Sequence, residues 1–161
     1  FPGDVLTGAG NQGHPGTDNG FADRGDNYLL VADRILSDLH KAQSWKRLAK
    51  SIRAVNPNVA NLTLNAPTPD RLDVGYQTNG RILSLDVRQE SEGFRRYLAH
   101  LLALYQNPSK QALLFEHPEL GLHLGALESL AHELKACPVD NRGQVILTTH
   151  SPQLLNYFVP E

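Results

Sequence analysis

The sequence of 161 residues contains no methionine and a single cysteine, Cys137. One cysteine excludes an internal disulfide and suits a reducing compartment, so the expected localisation is cytoplasmic. Cys137 itself reads as a buried thiol at a helix end rather than a nucleophile. No apolar run approaches the ~18 residues of a membrane span, and no charged-then-apolar leader follows Phe1. Charge excess is also lacking: 15 Lys and Arg face 17 Asp and Glu, for a net charge of −2. That balance gives no global drive toward nucleic acid or an anionic membrane, though it leaves room for a local basic patch. With no methionine, Phe1 is not an initiator, and the expectation is a piece of a longer protein.

A hydrophobic content of 40% is enough for one core of ordinary size. Residues 1–27 hold more than half of the 13 glycines and few large apolar residues, so they read as a flexible Gly-rich arm. Residues 28–161 read as one unit. Tyr28, Val31, Ile35 and Leu39 recur at helical spacing, as do Trp45, Leu48, Ile52 and Val55 up to Pro57. Leu62 and Leu64 then alternate, followed by Leu72, Val74 and Tyr76, and by Leu83, Leu85 and Val87. Asn79-Gly80 between the last two runs favours positive φ and predicts a hairpin. From Ser91, a capping residue, the pattern is helical again, with Leu98, Leu101, Leu102 and Tyr105 on one face and Asn107-Pro108 closing it.

The most informative stretch is Leu113-Leu114-Phe115-Glu116-His117-Pro118-Glu119. Three apolar residues run into an acidic cluster, which predicts a buried parallel strand with polar residues at its C-terminal edge. Val145-Ile146-Leu147-Thr148-Thr149-His150 repeats the plan. Between them Leu124, Leu127, Leu130 and Leu134 stripe a helix that Pro138 stops. Together these predict a βαβ unit in which Glu116 and His150 converge. Pro152 opens a short helix reaching Tyr157.

These residues resemble a family. Glu116-His117-Pro118-Glu119 followed by Gly121-Leu122-His123 resembles the Walker B strand and turn of ABC-type ATPases, in their SMC-like and overcoming-lysogenization-defect-like branch. Val145 to Pro152 is similar to the switch strand, which ends in Thr-His-Ser-Pro. Ser91-Glu92-Gly93 resembles the signature loop, whose usual form is Leu-Ser-x-Gly. The resemblance covers roughly residues 25–161. It implies an α/β fold of the P-loop NTPase type, with a largely parallel sheet, flanking helices and a preceding helical and β-hairpin insertion.

The resemblance also implies roles. Glu116 would stand on the Mg²⁺ side of a bound ATP, and His150 would sense its γ-phosphate. Ser91 and Gly93 would reach the γ-phosphate held by a second subunit in a head-to-tail dimer. Relatives of this branch suggest a nucleic-acid-linked role in DNA repair or phage defence. His117 departs from the pattern, which places glutamate there as the base; weak or lost hydrolysis is the expectation, with ATP acting as dimer glue. Glu119 is expected to face the turn.

A phosphate-binding loop would need Gly-x-x-x-x-Gly-Lys-Ser/Thr, and no Gly-Lys pair occurs in the chain. Thr7 to Thr17 is Gly-rich but has no lysine. The expectation is therefore an incomplete ATPase domain, partnered by a missing N-terminal half or by another copy. The rival reading is a non-catalytic interaction module that kept the fold and lost the chemistry. A zinc site drawn from His117, His123, His132, His150, Glu116 and Glu119 lacks the helical pairing or tight spacing that marks one.

Overall fold

The computed structural model describes residues 27–37, 42–65, 70–106 and 109–158. Two helices open it, α1 (Tyr28–Ser37) and α2 (Ala42–Val55). The apolar stripes read from the sequence face inward: Tyr28, Val31, Ile35, Leu48 and Ile52 are buried, and Trp45 and Val55 pack against them. Helix α2 ends two residues before Pro57, because proline disfavours helical geometry in the residue it follows. The Gly-rich arm, Leu39 and Asn107-Pro108 lie outside the described residues.

Three strands follow, β1 (Val59–Leu64), β2 (Leu72–Thr78) and β3 (Arg81–Asp86), in one antiparallel sheet of order β1-β2-β3. The β2–β3 hairpin turns at Asn79 (φ 48°) and Gly80 (φ 77°), the two successive positive values that Asn-Gly tolerates best. Thr78 pairs with Arg81 across it. Leu72 and Val74 point into the core, while Leu83 is exposed.

Helix α3 (Glu92–Tyr105) begins at Ser91, whose hydroxyl accepts the Phe94 N–H at 3.2 Å. The sequence indicates one apolar face, yet every residue from Tyr97 to Tyr105 is buried. A helix covered on all sides must be central, and α1, α2 and α4 (Leu124–Val139) all pack on α3. The predicted βαβ unit is present: β4 (Ala112–Glu116) and β5 (Gln144–Thr148) pair in parallel, with α4 as the crossover. A short α5 (Pro152–Asn156) closes the described chain, capped by Ser151.

Three expectations need correction. The parallel arrangement is confined, among the described residues, to β4 and β5; the larger sheet is antiparallel. Second, β4 and β5 are not buried on both faces. Leu113 and Phe115 face the core, whereas Leu114 is 75% and Ile146 48% exposed, because no described element covers the other face. Third, Pro138 does not stop α4 but lies in its last turn. The helix ends one residue later at Val139. Of its predicted stripe, Leu127, Leu130 and Leu134 are buried, and Leu124 is exposed.

Candidate functional site

Strands β4 and β5 run side by side with Glu116 opposite Thr148, so their C-terminal ends share one edge of the sheet. The His117 N–H donates to the Thr148 carbonyl at 2.9 Å, which carries the ladder one residue beyond β4. There the chain turns. His117 has φ 47°, a left-handed conformation that costs a residue with a Cβ about 1–2 kcal/mol. Tight loop bonds hold it: Leu120 N–H to the His117 carbonyl and Leu122 N–H to the Glu119 carbonyl, both 3.1 Å. Strained backbone of this kind is concentrated at functional sites.

The turn places His117 over His150, with ring centroids 4.9 Å apart and planes at 34°. His117 Nδ1 lies 3.3 Å from Glu119 Oε1. The two strands therefore bring His117, Glu119 and His150 into one cluster, with Glu116 at the adjoining strand end. Burial alone would raise the Glu119 carboxyl. Its own N–H, the Thr149 hydroxyl, His117 and the His150 N–H outweigh that effect and hold it below the usual carboxylate range. Glu119 Oε2 is buried and none of these donors meets hydrogen-bond geometry at it. Glu119 thus faces the turn as expected, but it also engages the imidazole, which the sequence reading missed. No local pattern marks that contact, because it depends on the positive φ of His117.

Ser91 and Gly93 are not inside this cluster. They sit at the N-terminus of α3, packed against the far end of the same loop. A Cβ on Gly93 would lie 2.6 Å from the Gly121 carbonyl oxygen, so the two backbones touch. Arg96, paired with Glu92 at 2.7 Å, covers Gly121 (φ 75°). Loop 117–122 therefore links the histidine cluster to the start of α3.

The other histidines have local duties. His123 caps α4, its Nδ1 accepting the Ala126 N–H at 3.3 Å. His132 lies 6.5 Å from the Tyr157 ring. His100 is buried in α3 against Phe115, its Nδ1 2.6 Å from the Arg96 carbonyl; burial pushes its imidazole down to about 4. Among the described residues no group of three or more His, Cys, Asp or Glu could hold a metal ion, which leaves the zinc arrangement without a ligand set. Mg²⁺ asks less of the protein, one or two carboxylates with the rest of its shell from phosphate and water. Glu116, exposed at the strand end, fits that single-acid role. No helix among the described residues is long and apolar enough to cross a membrane.

The profile of the family described as "AAA domain, putative AbiEii toxin, Type IV TA system" matches residues 4–156. No curated protein matches. Among solved structures, the chain is similar to the "SmcHead bound to the C-winged helix domain of ScpA", with TM-score 0.55 and 14% identity. That match covers 78% of this chain and 40% of that one, so this chain spans about two fifths of the SMC head. A second structure, from work on "ATP-driven dimerization and DNA stimulated activation of SMC ATPases", matches at TM-score 0.49 and 15% identity over 71% of this chain and 74% of that one. At 14% identity the first of these likenesses is one of fold: an α/β, P-loop NTPase-like arrangement resembling the SMC head.

Proposed function

Since the chain belongs to this family of AAA ATPase domains, we propose that it supplies the Walker B, switch and signature elements of an ATP–Mg²⁺ site that is completed from outside these 161 residues. The observation that carries the reading is the shared edge of β4 and β5. It gathers His117, Glu119 and His150 beside Glu116, at the C-terminal ends of parallel strands where open α/β sheets bind ligands.

In this reading Glu116 is the acid on the Mg²⁺ side, and the ion would bridge and neutralise the phosphates. His150 contacts the γ-phosphate as an imidazole donor. Ser91 and Gly93, at the start of α3, present a hydroxyl and a close backbone N–H to the γ-phosphate held by a second subunit, where a helix N-terminus favours anions. The chain has no Gly-Lys pair, so the lysine and amide cradle of a phosphate-binding loop come from another segment or chain. A head-to-tail dimer that opens and closes with the nucleotide, acting in DNA repair or phage defence, is the fuller expectation. A second reading, favoured by that missing lysine and by His117, is an interaction module without ATPase chemistry.

Calorimetric titration with Mg–ATP separates the two. The chain alone is expected to bind weakly, and the assembled ATPase containing it to bind with Mg²⁺ dependence that Glu116→Gln removes. Low-micromolar binding by the chain alone would sink the incomplete-site reading. No binding by the assembly would favour the interaction module.

A further inference from the structure

His117 occupies a position where a carboxylate base is expected, and an imidazole there has two nitrogens that could each carry the proton. Which one does so decides which nitrogen of the neutral ring can accept from a water. The structure contains a device for that choice. Glu119 Oε1 is 3.3 Å from Nδ1, and a carboxylate can only accept. The Glu119 side chain is 12% exposed and that of His117 27%, so the pair is shielded while the ring keeps some access to solvent. The ring is held from three sides: by the carboxylate, by the His150 ring at 4.9 Å, and by the left-handed backbone that the Thr148 carbonyl anchors.

We propose that Glu119 is a positioning residue that fixes His117 as the Nδ1–H tautomer, leaving Nε2 as the acceptor that orients the water attacking the terminal phosphate of ATP. This rests on the nucleotide site proposed above. In the step, the water oxygen forms a new bond to the γ-phosphorus. The bond from that phosphorus to the β–γ bridging oxygen breaks, its electron pair leaving with ADP. The water proton held by Nε2 ends on the released phosphate. The carboxylate takes no part in bond making; it orients the ring, as second partners of catalytic and metal-binding histidines commonly do. An imidazole held in this way supports hydrolysis, where the resemblance alone leads to an expectation of weak or lost hydrolysis.

Two readouts test this. Long-range nitrogen–proton NMR of the 161-residue chain near pH 8, where an ordinary imidazole is neutral, reports the tautomer of each histidine. His117 should be protonated on Nδ1, and Glu119→Gln should move the proton toward Nε2 or mix the two forms. In the assembled ATPase, Glu119→Gln and His117→Ala should each lower kcat on the order of 10²-fold with KM little changed, and the double variant should be no slower than His117→Ala. A His117 tautomer unaffected by Glu119→Gln would overturn the proposal, and so would additive losses in the double variant. If the assembly binds Mg–ATP but wild type does not turn over, this inference fails while the binding site stands. If it binds no nucleotide, the site reading fails first.

Discussion

Gly93 and Gly121 are in backbone contact: a methyl group on Gly93 would lie 2.6 Å from the Gly121 carbonyl oxygen. The contact joins the start of α3 to the loop that begins at His117. Replacing Gly93 by alanine should favour the helix locally by up to about 1 kcal/mol. The steric conflict is with backbone, which cannot rotate away, and overpacking of this kind costs about 1–3 kcal/mol. The second effect is the larger. Gly93→Ala should therefore lower the urea midpoint and shift amide resonances at residues 120–122. A raised midpoint would show that the loop yields at no cost.

His100 makes stability depend on pH. Its buried imidazole sits at about 4, well below the usual value near 6.5. The unfolded chain therefore binds a proton that the folded chain refuses between those values, and stability rises with pH across that window. Its contribution is fully present above pH 6.5 and is lost as pH falls toward 4, by roughly 3 kcal/mol in all. Urea unfolding at a series of pH values should show this slope, and His100→Leu should flatten it. An unchanged slope in the variant would assign the effect elsewhere.

Glu133 ties three helices together. Its carboxylate accepts from the Tyr105 hydroxyl at 2.7 Å and from Ser51, and it faces Arg142 at 3.5 Å. Arg142 also lies 4.3 Å over the Tyr105 ring and reaches Asp140 at 3.3 Å. Removing the carboxylate leaves a buried hydroxyl and a largely buried guanidinium short of a partner. Glu133→Ala should cost roughly 1–3 kcal/mol, with the guanidinium partly compensated by Asp140. A double-mutant cycle with Tyr105→Phe should give a coupling energy above about 0.5 kcal/mol. Strict additivity would mean the two groups do not communicate.

Much of this architecture is local and therefore readable. The Asn79-Gly80 hairpin, the Ser91 cap and the βαβ unit each depend on residues close in sequence or on one period of apolar positions. What could not be read is set by packing from outside an element. The full burial of Tyr97–Tyr105 comes from three helices around α3, and the open face of β4 and β5 comes from the lack of a described neighbour. In the candidate site, the strand ends were legible, but the Glu119–His117 contact was not. It depends on the positive φ of His117, a conformation the sequence does not announce in a residue with a side chain.

Neighbouring leucines on β4 give the sharpest test of that open face. Leu113 is 8% exposed and Leu114 75%, although both stand in one apolar run. Leu113→Ala removes buried methyl groups and should cost about 2–5 kcal/mol. Leu114→Gln changes a side chain already in water, so it should move stability by no more than about 0.5 kcal/mol. Parallel sheets ordinarily have both faces covered. An apolar face left open, carrying Leu114 and Ile146, should drive the isolated chain to self-associate, and Leu114→Gln should reduce that. Chemical denaturation of both variants, with sedimentation of wild type and Leu114→Gln over a concentration series, checks the pair of claims. Should Leu114→Gln destabilise the monomer as much as Leu113→Ala, the face is already covered within the chain, and the two-sided exposure pattern of β4 is wrong.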